Sequence, residues 1–223
     1  MKSTFYIMFY VMCLQHASCS LLAQCTNVTD IDGNVYHTIK IGKQCWMQEN
    51  FRATHFRDGS PITETEDKAA WEKADQLHTS GWCYFEGNTE NNSVYGKLYN
   101  WYTVSDPRHL CPSGWHIPSD DEFQTLSDYL GGDSISGAHM KATALWSHPN
   151  TGADNSSGFT ALPAGYRISS GYFSLLGHNA FFWSSTPDDK EGAYLRNLCF
   201  NYSPALRLND FAGDGFSVRC VGD

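Results

Sequence analysis

The sequence predicts an α+β protein in which helices are followed by antiparallel strands. Helix signals occur in the first two-thirds of the chain, most clearly at 66–75 and 119–132. The last third consists of short apolar segments separated by Gly, Pro, Asn and Asp turns. Aromatic residues make up 14% and charged residues 17%, which is typical of a compact, turn-rich domain. We expect one domain over 25–223, with an N-terminal hairpin and helices over 25–108 and a β-rich core over 109–223.

The charge of the chain excludes two classes of partner. The formal net charge is -9, and no run of Lys and Arg is long enough to neutralise a phosphate backbone. We therefore expect no nucleic-acid partner. The same lack of a basic patch argues against docking on an anionic membrane surface.

Residues 1–24 have the features of a secretory signal peptide. Lys2 precedes an apolar run over 5–14 that is too short to span a bilayer. A lipoprotein signal with the lipid on Cys25 or Cys19 is the alternative, although neither site fits a lipobox well. We expect the mature chain outside the cytoplasm, secreted or attached to the bacterial cell surface or outer membrane, and without a transmembrane segment.

Six cysteines remain after the signal, and an oxidising compartment favours their pairing as disulfides. They are Cys25, Cys45, Cys83, Cys111, Cys199 and Cys220. Six cysteines allow 15 connectivities, and their spacing alone does not choose between them. Because no C-x-x-C pair occurs, neither a zinc ribbon nor a thioredoxin-like redox site is indicated.

The N-terminal part begins with a hairpin signal, since alternating apolar residues over 27–42 flank an Asp32-Gly33-Asn34 turn. Residues 44–52 are predicted to be a strand or turn with Trp46 and Met47 buried. The other elements predicted before residue 109 are a loop over 53–68, a helix over 66–75, a strand and turn over 81–88 and a helix over 94–104. The last helix rests on the spacing of four residues expected to face the core, which are Tyr95, Leu98, Tyr99 and Tyr102.

The segment LCPSGWHIPSDDEFQTLSDYLGG (110–132) has the clearest helix boundaries. Ser119 and Glu122 form a capping box, and Asp120 and Asp121 lie in the first turn, where the helix dipole favours carboxylates. The Gly pair that closes the segment predicts the helix end. The apolar face is expected to consist of Phe123, Leu126, Tyr129 and Leu130. The elements predicted after it are a short helix over 134–143 and strands over 158–167, 181–186, 193–200 and 215–221.

Six segments, in this order, carry a family resemblance. They are DIDGNVYHTIKIGKQCWMQENFR, YGKLYNWYTV, LCPSGWHIPSDDEFQTLSDYLGG, SSGFTALPAGYR, FWSST and GFSVRCV. From about residue 28 onward the chain resembles the Fibrobacter succinogenes major paralogous domain family, a large group of exported bacterial proteins without an assigned function. The resemblance implies a C-type lectin-like fold, with antiparallel strands, two main helices and a long loop region, stabilised by disulfides. GWHIPSDDEF is also distantly similar to formylglycine-generating-enzyme-like domains, which share that architecture.

The implied fold leads to an expectation for the disulfides. In a C-type lectin-like domain the first core strand pairs with the last, so Cys111 and Cys220 are expected to be bonded. Such a bond closes a loop of about 109 residues and stabilises the fold by about 4–5 kcal/mol in the chain-entropy model. For the remaining cysteines we expect Cys25 with Cys45 and Cys83 with Cys199.

No catalytic residues are predicted. Cys111 and His116 are separated along a strand with a Pro on each side, a poor geometry for a nucleophile and its base. The family resemblance brings no catalytic residues with it. A formylglycine-generating type of oxidoreductase needs two reactive cysteines close together, and no two cysteines share one short segment here.

Two kinds of binding residue are predicted in the loops. Lectin-type domains often bind sugar through calcium, for which the oxygen-bearing candidates are Asp154, Asn155, Asp188, Asp189, Glu191, Asp210 and Asp214. The usual Glu-Pro-Asn, Gln-Pro-Asp and Trp-Asn-Asp triplets are absent, so solvated turn residues are the competing interpretation. Rings that stack on a sugar offer a calcium-free route, with the candidates Tyr166, Tyr172, Phe173, Phe181, Trp183 and Tyr202. Of these, Trp183 is expected to be buried rather than exposed, and exposure is expected mainly within 168–179.

The sequence therefore predicts an exported, non-enzymatic binding module that recognises a glycan or a surface protein through its loops, with calcium as the only cofactor considered. Two alternatives stay open. One is an oxidoreductase similar to the formylglycine-generating enzymes, and the other is a structural or assembly protein of the cell envelope.

Overall fold

The computed structural model describes residues 25–223, so the predicted signal over 1–24 lies outside the described residues. This part of the chain is α+β. Its helices are α1 (Lys68–Gln76), α2 (Asn91–Tyr95), α3 (Trp101–Val104), α4 (Asp120–Tyr129) and α5 (Asp133–Met140). Its strands are β1 (Val28–Thr29), β2 (Val35–Tyr36), β3 (Thr38–Ile41), β4 (Gln44–Met47), β5 (Thr63–Glu64), β6 (Gly81–Cys83), β7 (Leu98–Asn100), β8 (Trp115–His116), β9 (Ala164–Arg167), β10 (Phe173–Leu176), β11 (Asn179–Pro187), β12 (Gly192–Cys199), β13 (Ala205–Phe211), β14 (Gly215–Phe216) and β15 (Val221–Gly222). Between residues 25 and 223, no helix has the length and apolar character needed to cross a bilayer.

The strands form four sheets. Their orders are β1-β2, β3-β4-β15-β8, β10-β9-β14-β7-β6-β5 and β11-β12-β13. The β5–β6 ladder is parallel, and the other ladders between these strands are antiparallel. Val221 of β15 lies opposite His116 of β8, so the last strand pairs with the strand that follows Cys111.

The N-terminal hairpin is confirmed. The carboxylate of Asp30 accepts hydrogen bonds from the backbone N–H groups of Asp32 and Asn34, and Gly33 takes a φ of 83° between them. This side chain satisfies the turn in the way expected of an Asp before a tight turn. Trp46 and Met47 are fully buried, as predicted.

The capped helix is confirmed, with one correction to its apolar face. Ser119 and Glu122 make the reciprocal hydrogen bonds of a capping box at the start of α4. Phe123 and Leu126 are buried, but Tyr129 is 65% exposed, so its predicted place in the core is wrong. The ring of Tyr129 lies instead over Gly42 at the β3–β4 turn, where an added Cβ would come within 2.9 Å of it.

The predicted helix over 94–104 is wrong in its centre. The chain forms α2, leaves the helix at Gly96 with a φ of 72°, runs through β7 and then enters α3. The strand forms because Tyr99 is opposite both Trp82 of β6 and Phe216 of β14, so it is paired on both sides. Leu98 and Tyr99 are buried as predicted, but on a sheet and not on a helix.

The β-rich last third is confirmed, and it contains two strands that were not predicted. These are β10, which lies within the predicted exposed loop, and β13, which forms the edge of the β11-β12-β13 sheet. β13 was not predicted because residues 206–209 are all exposed, so the strand lacks the alternation of apolar and polar residues from which strands are predicted.

Aromatic rings and buried cations fill the interior. The ring of Trp183 packs on that of Phe216 with centroids 4.5 Å apart. Arg219 is buried between aromatic rings and donates to the carbonyl of Phe159 and the amide oxygen of Asn50. The Lys141 ammonium, also buried, donates to three backbone carbonyls, those of Thr151 at 3.0 Å, Cys199 at 2.9 Å and Tyr202 at 2.7 Å.

Two of the three expected disulfides are present. Cys25 is bonded to Cys45, and Cys111 is bonded to Cys220. The second bond joins the segment before β8 to the segment before β15, so it fastens two strands that also pair through their backbones.

The expected bond between Cys83 and Cys199 is wrong, since both cysteines are free. Cys83 lies on β6 in an apolar cluster with Trp71 and Leu98, whereas Cys199 ends β12 in a different sheet. The thiol of Cys199 lies 2.9 Å from the amide oxygen of Asn201. The two thiols therefore belong to separate parts of the fold.

Candidate functional site

The polar side chains around the start of α4 are paired with one another. The ring of His116 contacts Glu122 through Nε2 at 2.7 Å and Asp223 through Nδ1 at 2.6 Å. The hydrogen bond to Glu122 outweighs burial and raises the pKa of His116 to about 9. Burial opposes ionisation of Glu122, but hydrogen bonds from His116 and Ser119 outweigh it and lower the pKa of Glu122 to about 2. These groups satisfy one another and hold the end of the chain against α4.

A cleft lies elsewhere, where the end of α1, the start of α3 and the ends of β11 and β13 meet. It has a volume of about 580 Å³. Its walls are formed by Asp75, Gln76, His78, Trp101, Tyr102, Ser169, Pro187, Asp188, Glu191, Gly192, Phe211 and Ala212. We call it the first cleft.

Aromatic groups form one wall of the first cleft. The ring of His78 stacks on that of Tyr102, with centroids 5.1 Å apart and planes 18° apart. The indole of Trp101 is held in place by a hydrogen bond, because its Nε1 donates to the carbonyl of Ser184 at 3.0 Å. The backbone N–H of Trp101 donates to the carbonyl of Ala212 at 2.8 Å, which ties this wall to the segment after β13.

Carboxylates line the same cleft, and they differ in how fully they are paired. Asp188 is used by its own turn, since it accepts from the N–H groups of Lys190 and Gly192 and from the amide of Asn209. Asp75 accepts one hydrogen bond, from the Tyr102 hydroxyl at 3.1 Å. Within the described residues, the Glu191 carboxylate has no hydrogen-bond partner and is exposed.

A second cleft of about 360 Å³ lies beside the first, and Ser169 and Phe211 belong to the walls of both. The second cleft is lined by Tyr166, Ile168, Ser169, Leu175, Phe181, Asp210, Phe211, Asp214 and Phe216. Phe211 is 67% exposed although it is a large apolar residue. Its ring therefore stands as a ridge between the two clefts.

A pair of carboxyl groups lies behind this ridge. Asp214 is 3% exposed and accepts from the backbone N–H of Ser169 at 2.6 Å. Burial and the neighbouring charge of Asp210 raise the pKa of Asp214 to about 7. Two carboxylates this close favour retention of a proton by one of them.

The two clefts are negative in character. Among the residues that form their walls, five are Asp or Glu and none is Lys or Arg. The carboxylates are Asp75, Asp188, Glu191, Asp210 and Asp214. The walls of the first cleft also contain a histidine, His78, and those of the second contain none.

Only some of the aromatic residues predicted to bind a ligand lie in the clefts. Tyr166 and Phe181 line the second cleft, with their ring centroids 5.1 Å apart. Tyr172 is exposed at 62% but lies under the Lys68 ammonium outside both clefts.

Phe173, Trp183 and Tyr202 do not join the site. Phe173 packs on Phe85. Trp183 is fully buried and its indole N–H donates to the carbonyl of Tyr99, so its inclusion among the ligand-binding residues is wrong. Tyr202 is exposed, but it lies outside both clefts.

The predicted calcium ligands divide into two separate groups. Asp154 bonds to His139 and Ser156, and Asn155 bonds to Thr160, so both are used within their own loop. Asp188, Glu191, Asp210 and Asp214 line the clefts, and Asp189 is an exposed neighbour of them. Across residues 25–223, no three His, Cys, Asp or Glu side chains are placed to share one metal ion.

Several residues of the clefts were not predicted as ligand contacts. Trp101 and Tyr102 were not, because a helix with an aromatic face packed in the core was predicted over 94–104. Asp75 and His78, at the end of α1 and just after it, were not predicted either. Phe211 was also missed. An isolated Phe between Asp210 and the Ala212-Gly213 turn is an available signal for it, since a large apolar residue in a polar turn is uncommon unless it is packed or binds something.

The comparisons with known proteins point to one family. The family model for the Fibrobacter succinogenes major domain matches residues 39–222. No curated protein and no solved structure matches the chain. The match begins within β3, runs through β15 and includes both clefts and the Cys111–Cys220 disulfide. The chain belongs to the Fibrobacter succinogenes major domain family.

Proposed function

We propose that this chain is an exported, non-enzymatic binding module with a C-type lectin-like scaffold, and that it recognises a glycan across the Phe211 ridge. The observation that carries the proposal is the ring of Phe211, 67% exposed between two clefts with aromatic and carboxylate walls. Aromatic faces stack on the apolar face of a sugar, and carboxylates accept hydrogen bonds from its hydroxyl groups.

The pairing of first and last core strands supports the scaffold part of the proposal. β8 and β15 pair antiparallel, and Cys111–Cys220 fastens the segments before them. Two disulfides also fit a protein exported to an oxidising compartment.

The enzymatic alternative has less support. Among the described cysteines, Cys83 and Cys199 are free and lie in different sheets. Burial raises the pKa of the Cys83 thiol to about 12, which makes it a poor nucleophile at neutral pH. A pair of reactive thiols, which an oxidoreductase of the formylglycine-generating type requires, is therefore hard to build from these residues.

A glycan array tests the proposal. The wild-type protein and a Phe211→Ala variant are screened, each with and without EDTA. Because Phe211 is exposed, its removal leaves the core intact, and we expect it to weaken binding at least about tenfold. The matched control is Tyr202→Ala, which removes an exposed ring outside both clefts and should leave binding unchanged.

Other outcomes redirect or overturn the proposal. Binding that survives Phe211→Ala places the site elsewhere on the surface. Binding that EDTA abolishes restores a calcium-dependent mode. The absence of any glycan binding favours a protein partner or a structural role in the cell envelope.

A further inference from the structure

We propose that the site selects sugars that carry a free ammonium group. This inference rests on the proposed glycan-binding function and names the ligand class of the same two clefts. Its starting point is the charge of the walls, which hold five carboxyl groups and no Lys or Arg.

Two carboxylates of the first cleft are left for a ligand. Asp188 is used fully by its turn and by Asn209, so it is an internal group. Asp75 keeps one oxygen beyond its bond to Tyr102, and Glu191 has no partner among the described residues. Both line the first cleft. A neutral sugar leaves their charges uncompensated, whereas an ammonium group donates a charge-assisted hydrogen bond to either.

The aromatic rings of the first cleft also favour a cation. Trp101, Tyr102 and Phe211 line it together with these two carboxylates. The face of an aromatic ring attracts a cation, and the attraction grows when water is excluded. A cleft that combines rings with free carboxylates therefore favours a cation over a neutral group of equal size.

The same charges repel anionic sugars. Beyond the Phe211 ridge, Asp210 and Asp214 line one wall, and burial together with the neighbouring charge of Asp210 raises the pKa of Asp214, so a further negative charge is unfavourable there. An anionic sugar brought to the ridge meets these groups and the carboxylates of the first cleft without a Lys or Arg in either wall. Uronic acids, sulfated sugars and phosphorylated sugars are therefore disfavoured.

The test compares ligands of equal size that differ in charge. The probes are a β-1,4-linked glucosamine hexamer, the same hexamer N-acetylated, and a galacturonic acid hexamer, with affinity measured by calorimetry at pH 6. We expect the glucosamine hexamer to bind at least about tenfold more tightly than the acetylated one at low salt, and the galacturonic acid hexamer not to bind. The preference should shrink in 0.5 M salt, a concentration at which the Debye length falls to about 4 Å.

Two variants test whether Glu191 and Asp75 cause the preference for the glucosamine hexamer. Glu191→Gln and Asp75→Asn should each reduce it several-fold while leaving the affinity for the acetylated hexamer little changed. The control is Asp189→Asn, which removes an exposed acid next to the first cleft but outside its walls. A loss of preference in the control equal to that in the other two would overturn the assignment of these residues.

The outcomes separate this inference from the proposed function. Equal or tighter binding of the acetylated hexamer overturns the ammonium selectivity and leaves glycan recognition intact. Failure of all three hexamers, with no hit on the glycan array, overturns the proposed function itself. A lysine-rich peptide of the same charge is the final arm, and binding of that peptide without the glucosamine hexamer overturns the sugar as the source of the ammonium.

Discussion

The segment before α4 and the Phe211 ridge use the same kinds of side chain in opposite ways. Around α4, His116, Glu122 and Ser119 are joined in hydrogen bonds, and Cys111 is bonded to Cys220. At the ridge, Glu191 is unpaired among the described residues and Phe211 is exposed. Titratable and aromatic residues are present in both places, so their presence alone does not mark a site.

The difference lies in whether the groups satisfy each other. A side chain whose donors and acceptors are all used in the fold has little left to offer a ligand. The contrast can be tested by four changes, each measured through protein stability, of which the change at Asp214 lies behind the ridge.

The largest expected effect is the loss of the long-range disulfide. Replacing both Cys111 and Cys220 by Ala should lower the free energy of unfolding by about 5 kcal/mol, because the bond closes a 109-residue loop. Replacing Cys25 and Cys45 is the control, with an expected loss of about 3 kcal/mol for a separation of 20 residues. Urea unfolding of the two variants measures both values. A larger loss for the short loop would contradict the chain-entropy account.

The second prediction concerns the buried carboxylate at the start of α4. Asp120 contacts Arg196 and also accepts from Nε of Arg207 at 2.7 Å. Asp120→Asn leaves the Arg196 guanidinium, whose side chain is 1% exposed, without its countercharge, and should cost about 3 kcal/mol. Asp121→Asn, an exposed neighbour in the same turn, should cost about 0.5 kcal/mol through the helix dipole. Equal losses in urea unfolding would show that the buried contact is unimportant.

The third prediction concerns pH and the carboxyl pair behind the ridge. The folded pKa of Asp214, about 7, lies above its unfolded value of 3.8, so the folded protein binds the extra proton between these values. Stability should therefore fall as the pH rises through this window, by about 2 kcal/mol between pH 5 and pH 8. In Asp214→Asn, which keeps the oxygen that accepts from Ser169, this part of the fall should vanish. Thermal unfolding at both pH values checks it, and an unchanged slope in the variant would exclude Asp214 as the source.

The smallest effect is expected at His116. Its folded pKa of about 9 exceeds the unfolded value of 6.5, so its contribution is complete below pH 6.5 and is lost as the pH rises through 9. The lower limit comes from Glu122, whose contribution is complete above 4.5 and is lost as the pH falls through about 2. Because the His116 side chain is 40% exposed, solvent screening limits the effect, and His116→Asn should cost about 1 kcal/mol at pH 6. At pH 10 the variant and the wild type should be equally stable in urea, and glycan binding should be unaffected at either pH.

Local sequence signals predicted the elements whose geometry is determined locally. The Ser119–Glu122 capping box and the turn at Gly33 depend on neighbours within a few residues. The strand at Tyr99 was mistaken for a helix because three residues are too few to establish a period. Its conformation depends on Trp82 and Phe216, and Phe216 lies more than a hundred positions away in the sequence.

The candidate site was harder to predict for the same reason. Trp101 and Phe211 share a cleft because Gly215 of β14 pairs with Asn100 of β7, which no local pattern reveals. The acids at 188, 191, 210 and 214 were identified from their Gly-rich loops, and they do line the clefts. The expected bond between Cys83 and Cys199 was wrong because strand pairing places the two cysteines in different sheets, which their spacing in the sequence does not reveal.

The three carbonyl oxygens around the Lys141 ammonium have a consequence for how the loops are ordered. Residues 151, 199 and 202 converge on a positive charge that is covalently part of the chain. A bound ion in that position could exchange with solvent or be removed by a chelator, whereas a lysine side chain cannot leave. These three carbonyl oxygens are therefore held together by a group of the chain itself, and acetylation of that amine would remove the charge on which they converge.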